Sequence, residues 1–276
     1  MNKKLLFYLT VIFLVTQALA LYVGTGLISM ELERGGLVNE NPDDPINSIG
    51  LFVYILGSTA VILLIIKFYK GDLLFKLLES LLVFLTSWIV ISFIVGDEIA
   101  LILALVLVIT RWIYKKNILL RNIASVLAAA GAGAIIGYQL GVIPVILFLV
   151  ILAGYDIIAV FYTKHMVSLA KAITKKNLAF TFALPTKEHQ FELGTGDMVI
   201  PAVFAVSVLV QTTKYFDFPF ALISPIIVLW GSLVGLILTL HYCSSKVGKA
   251  LPALPLQTAI MLIMLALCYV MKVFVF

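Results

Sequence analysis

An all-α polytopic membrane protein with about nine transmembrane helices is the fold class this sequence predicts. Three observations predict it. The chain is 63% hydrophobic and 12% charged, with a mean hydropathy of +1.16, whereas a soluble domain carries about 25% charged residues. Apolar runs long enough to cross the hydrocarbon core recur along its whole length, parted by short polar breaks. Its basic residues gather at alternate breaks, as they do when one side of the membrane is cytoplasmic.

The runs fall at 5–29, 48–67, 73–95, 98–114, 119–140, 143–163, 194–213, 219–242 and 251–274. The first begins like a signal peptide, with Lys3 and Lys4 ahead of an apolar stretch and Ala18-Leu-Ala20 in the place of a cleavage site. It continues to Ile28, too long for a signal core, so an uncleaved first span is expected. The fourth is short and follows the third across Gly96-Asp97-Glu98. The fifth carries Ala128-Ala-Ala-Gly-Ala-Gly133 and then Gly137, small residues that let helices pack closely. The whole of 1–276 reads as one integral membrane domain. Spans one to six occupy about 5–163, a cytoplasmic loop 164–193, and spans seven to nine about 194–274.

With the amino terminus inside, sixteen of the nineteen basic residues lie on cytoplasmic segments, leaving Arg34, Lys214 and Lys272 outside. The carboxyl terminus then faces out. The first loop, 30–47, is external and acidic. In the 164–193 loop, Met166, Leu169 and Ile173 share a helical face, as in an interfacial helix. The following Leu178-Ala-Phe-Thr-Phe-Ala-Leu184 favours an extended chain ending at Pro185. Cys243 and Cys268 lack metal-ligand spacing and are expected as free thiols.

Two acids interrupt apolar sequence: Asp156 on the sixth span and Asp197 in Gly194-Thr-Gly-Asp197 on the seventh. A carboxylate at membrane depth costs several kcal/mol and persists mainly where it lines a polar site. Asp156 lies eight residues before Lys164, about 12 Å along a helix, and Asp197 five residues after Glu192, about 8 Å. Both belong near the cytoplasmic side, where adjacent antiparallel helices can bring them together. Two carboxylates sharing one proton perform aspartic proteolysis. The ionised one takes a proton from water as it attacks the peptide carbonyl. The protonated one stabilises the oxyanion and helps protonate the leaving amine. Gly194 and Gly196 permit close approach to the acid, and Pro201 removes the helical hydrogen bond to the Asp197 carbonyl. Pro252-Ala253-Leu254-Pro255 opens the ninth span at the same face.

Tyr155-Asp156, Gly194-Thr-Gly-Asp197 and Pro252-Ala-Leu-Pro255, in this order on these spans, resemble the YD, GxGD and PALP motifs of the presenilin and signal peptide peptidase family of intramembrane aspartyl proteases. The resemblance implies a presenilin-like fold of nine spans. It also implies Asp156 and Asp197 as catalytic residues and a PALP element lining the active site, with Tyr155, Gly194, Gly196, Pro252, Ala253, Leu254 and Pro255 in support. An outside carboxyl terminus is similar to presenilins, while Met198-Val-Ile-Pro201 is closer to signal peptide peptidases. Thr195 stands where the family usually has leucine. The short 164–193 loop implies a compact, prokaryote-like homologue working as one uncut chain.

The expected substrates are transmembrane helices of membrane proteins or signal-peptide remnants in the cell membrane, with no cofactor, metal, nucleic acid or obligate partner subunit. Leu178–Leu184 is expected to take up the unwound substrate as an added strand. Glu79, three residues after Lys76, is expected to pair locally. The chain lacks HExxH and GxSG, which argues against zinc and serine proteolysis. A prepilin-type GxGD peptidase fits less well with nine spans and a PALP element. A proton- or cation-coupled transporter fits less well with the absence of a repeat.

Overall fold

The computed structural model describes residues 3–68, 71, 73–161, 181–185, 190–244 and 253–276. Among these residues the chain forms nine α-helices and one hairpin. The helices are α1 (Lys3–Ser29), α2 (Ile46–Phe68), α3 (Leu73–Val95), α4 (Asp97–Ile113), α5 (Ile118–Gln139) and α6 (Val142–Phe161), then α7 (Gly196–Thr212), α8 (Ile223–Ser244) and α9 (Leu254–Val270). The hairpin, β1 (Thr181–Pro185) with β2 (Gln190–Gly194), is antiparallel and stands between α6 and α7. Each helix coincides with a span expected from hydropathy. Six of them, α1, α2, α3, α5, α6 and α8, are long and apolar enough to cross a membrane by length and composition. The others, α4, α7 and α9, have 17 residues each, about 25 Å of helix against a hydrocarbon core of about 30 Å.

The fold is organised around α7. From Met198 to Val210 nearly every side chain is buried, so this helix is apolar all round, as a central helix must be. One side of it packs with α6, α8 and α9 around Phe148, Phe204, Val208 and Met261. Another meets α1, α8 and the hairpin around Phe13, Phe182 and Met198. A third meets α1, α3 and α5 around Val23, Val90 and Val206. On the periphery, α2 and α4 expose residues such as Val53, Ile102 and Ile109, which suits lipid rather than water.

The small residues of α5 meet α7. A Cβ at Gly133 would stand 2.4 Å from the Cβ of Ala202, and one at Gly137 would stand 2.5 Å from the Val203 carbonyl oxygen. Backbone comes that close only without side chains between. A second pair of this kind, on α8, brings in α9: a Cβ at Gly231 would meet Met264 Cγ at 2.7 Å, and one at Gly235 the Gln257 Cα at 2.8 Å.

The loop between α1 and α2 is held by polar groups of α2 and α5. Asn47 accepts from the amides of Val38 and Asn39, and Tyr138 Oη donates to the Leu32 carbonyl. At the far end, α9 stops at Val270, four residues short of the expected limit. Phe274 is buried, while Ser224 and Gln211 donate to the carbonyls of Val273 and Val275. Cys268 is a free, buried thiol, as expected.

The Gly137 contact sets a direct test. Gly137→Ala should destabilise the detergent-purified chain by about 1–3 kcal/mol, because its methyl group meets backbone that cannot rotate away. Gly57→Ala, where an added Cβ meets nothing within 4 Å, should leave the melting temperature level or raise it. Equal melting temperatures for Gly137→Ala and wild type would contradict this packing.

Candidate active site

Asp197 sits where a strand becomes a helix. β2 ends at Gly194, Thr195 turns, and α7 starts at Gly196. The amides of Met198 and Val199 both bond to the Thr195 carbonyl, closing the first turn. Neither Gly194 nor Gly196 takes a positive φ; among the described glycines only Gly96 does. Conformational freedom is therefore not what these positions use. They use space: a Cβ at Gly194 would face Asp197 Oδ2 at 3.9 Å, and one at Gly196 would meet nothing within 4 Å. The half-buried carboxylate is left approachable from its own backbone.

Asp156 lies in the last turns of α6, also half-buried. Tyr155, beside it, sets its ring edge-on to Phe52 of α2, with centroids 5.6 Å apart. The backbone amide of Leu254 lies beside the Asp156 carboxylate. The carboxylates of Asp156 and Asp197 are close enough to act on each other electrostatically. Ala253 caps α9 and packs on the Met198 cluster, Leu254 and Tyr155 pack against the Phe148 cluster, and Pro255 follows within the first turn. The structure thus gathers Tyr155, Asp156, Gly194, Gly196, Asp197, Ala253, Leu254 and Pro255 at one end of the bundle. Pro252 lies outside the described residues, as does the expected interfacial helix around Met166–Ile173.

Pro201 falls inside α7 and has no N–H for the Asp197 carbonyl. The replacement donor is Gln257 of α9, whose Nε2 lies 3.2 Å from that oxygen. One residue on, Gln17 of α1 donates from Nε2 to the Met198 carbonyl at 2.9 Å. Sequence reasoning weighed the acids and missed both glutamines. The signal was there: each is a lone amide in an apolar span.

The hairpin is held against α5 by a polar cluster. Arg121 Nη2 reaches both oxygens of Glu192 at 2.7 and 2.8 Å, and Thr181 Oγ1 donates to Glu192 Oε2. Asn122 bonds both ways with Ala183, accepting from its amide and donating to its carbonyl. Ser125 Oγ donates to the Thr181 carbonyl. The extended segment expected at Leu178–Leu184 is thus a strand from Thr181, while 178–180 lie outside the described residues. Its role needs correction, however. Since Ala183 turns its amide and carbonyl to Asn122, its pairing with Glu192 is of the non-hydrogen-bonded kind. The outer edge of β1 is occupied by α5 and cannot accept another strand. Phe182 is wholly buried as well, so its loss disturbs the core whatever the replacement. Glu79 is also corrected: its ion pair runs to Arg111 on α4, at 3.4 Å, instead of locally to Lys76.

Arg121 is 1% exposed, and removing one partner of a buried ion pair strands the other. Arg121→Met should cost about 3–5 kcal/mol in thermal unfolding of the purified chain. Adding Glu192→Gln should return part of it. A double variant less stable than the single one would show that the pair does not anchor the hairpin.

The sequence model of the family described as signal-peptide peptidase, presenilin aspartyl protease matches residues 10–271. No curated protein matches the chain. Two solved structures, each of a presenilin family intramembrane aspartate protease, share the fold. The one in space group C222 superposes with a TM-score of 0.71 at 20% identity, over 96% of this chain and 99% of that one. The one in P2 gives 0.67 at 21%, over 95% and 96%.

Proposed function

We propose that this chain, which belongs to the signal-peptide peptidase and presenilin family of intramembrane aspartyl proteases, cuts its substrates with Asp156 and Asp197 as the catalytic pair. The observation that carries the reading is that the two carboxylates are close enough to act on each other electrostatically, with the start of α9 beside both acids. There the Leu254 amide lies beside the Asp156 carboxylate and the Gln257 side chain bonds the Asp197 carbonyl. Two carboxylates so placed share one proton. One draws a proton from the attacking water, and the other donates to the carbonyl oxygen and then, with the proton returned, to the departing amine. The pair acts as a unit, so neither acid has a fixed role.

The family acts on transmembrane substrates within the membrane. For this chain the finer reading is single-span proteins and signal-peptide remnants in the cell membrane, cut by one unprocessed chain without an obligate partner subunit. A transmembrane helix hides its peptide bonds in its own hydrogen bonds, and unwinding it in lipid exposes groups that need partners. An edge strand supplies them. With β1 bound to α5, the strand to receive an unwound peptide is β2, which runs through Gly194 towards Asp197. Gln190 and Gly194 are in register with Pro185 and Thr181, as Glu192 is with Ala183. Their main-chain groups therefore point away from β1. A peptide laid along this edge would be led past the carboxylate at the point left open by the two glycines.

Two expectations follow for the purified protein and a single-span substrate in detergent. Asp156→Asn and Asp197→Asn should each lower turnover by about two to four orders of magnitude, with melting temperatures showing a folded chain. Wild-type turnover in either variant would falsify the pair. Gln190→Pro removes an outward amide. It should slow cleavage of a helical substrate while sparing a short peptide that is already extended. Equal slowing of both would separate β2 from unwinding.

A further inference from the structure

A glutamine in the middle of an apolar helix is costly to bury unless its amide is used. Gln257 is wholly buried, and Gln17 is 3% exposed. Both commit Nε2 to main-chain oxygens at the start of α7, while Oε1 of each has no partner among the described residues. The amides are therefore present as donors. Their targets are consecutive carbonyls, Asp197 and Met198, in the turn that carries the half-buried carboxylate. The first of these is the carbonyl that Pro201 deprives of its helical donor.

We propose that Gln257 is a positioning residue for Asp197: its amide replaces the backbone donor that Pro201 lacks and fixes the turn from which the carboxylate projects. Gln17 holds the next carbonyl from the opposite side. The inference rests on Asp197 being half of the catalytic pair. Three features set the geometry. Gly235 lets α9 approach α8 until its missing Cβ would lie 2.8 Å from Gln257 Cα. Ser232 of α8 then takes a second hydrogen bond from Gln257 Nε2 at 2.8 Å, orienting the amide. The same first turn of α9 brings the Leu254 amide beside the Asp156 carboxylate, one helical turn away from Gln257. Through Gln257, this part of α9 thus holds the backbone of one acid while it lies beside the carboxylate of the other. Proline loosens the start of α7, and glutamine returns a donor from another helix. The result ties the placement of Asp197 to α9 rather than to its own helix.

The test is a double-mutant cycle between 201 and 257 in the full chain. Gln257→Met keeps volume and removes the donor. It should lower kcat about tenfold to a hundredfold, as a misplacement of about 1 Å can, with KM changed by less than about twofold. Pro201→Ala restores a backbone N–H opposite the Asp197 carbonyl. Whatever Pro201→Ala costs by itself, adding Gln257→Met to it should cost little more. If Gln257→Met fails to fold, Ser232→Ala, which releases the amide without deleting it, gives a smaller loss of kcat that should likewise vanish in the Pro201→Ala background. A loss of kcat equal in both backgrounds overturns the proposal. So does a lowered melting temperature with kcat intact, since that is a structural role alone. The melting temperatures of the four proteins report the coupling without activity. If Asp197→Asn retained turnover, the catalytic reading would fail while the thermal cycle still showed whether Gln257 serves this carbonyl.

Discussion

Inside a bilayer a main-chain carbonyl has no water to turn to, so every helix break must be closed by protein. Pro201 makes such a break one turn into α7, at the carbonyl of Asp197. The rest of the site is arranged around its closure. Gln257 reaches the oxygen from α9, which requires α9 to lie against α8, which in turn requires Gly231 and Gly235. Gln17 reaches the neighbouring carbonyl from α1, on the other flank of the central helix. A helix with a complete ladder would need none of these contacts. It would also have no reason to hold its first turn in register with two other helices.

The hairpin follows from the same constraint in extended form. β1 and β2 satisfy each other along their inner edges, and α5 satisfies the outer edge of β1 through Asn122 and Ser125. The buried Arg121 then fixes Glu192 of β2, three residues before Thr195 begins the turn into α7. Charge this deep is expensive, and it brings specificity of placement more than stability. The strand leading to Asp197 is thus anchored by α5, while Asp197 itself is bonded from α9. The two halves of the chain are joined at this residue.

Much of this was legible in sequence, and the reasons differ from element to element. The helices could be read because lipid demands about twenty apolar residues per crossing, and the runs announce themselves. Asp156 and Asp197 stood out because an acid in such a run is costly. The Gly133 and Gly137 contact was readable as a small-residue pair, yet Gly231 and Gly235, with the same spacing, were passed over. The glutamines went unnoticed because a neutral amide disturbs hydropathy far less than an acid does. The role of the strand was misassigned for a deeper reason. Extended propensity at Thr181–Leu184 says that a strand forms, but which edge is covered depends on Asn122, some sixty residues earlier, and no local pattern carries that. The pairing of Glu79 with Arg111 rather than Lys76 is likewise a matter of which helix turns back on which.

The placement of the break also explains why the motif mixes glycine, acid and proline. A carboxylate on a perfect helix in lipid would project into packed side chains, and its backbone would be shielded by the preceding turn. Here the preceding residues are strand and turn, Gly196 adds no side chain, and the first turn is short of one main-chain donor. Backbone on the amino-terminal side of Asp197 is therefore approachable, and backbone on its carboxyl-terminal side is tied to another helix. That division suits the role proposed for Asp197, whose carboxylate would meet a peptide held as strand while its own position stays fixed. It makes the start of α7 a junction between two hydrogen-bonding systems, the sheet that can be extended and the bundle that cannot. Asp197 stands at their boundary.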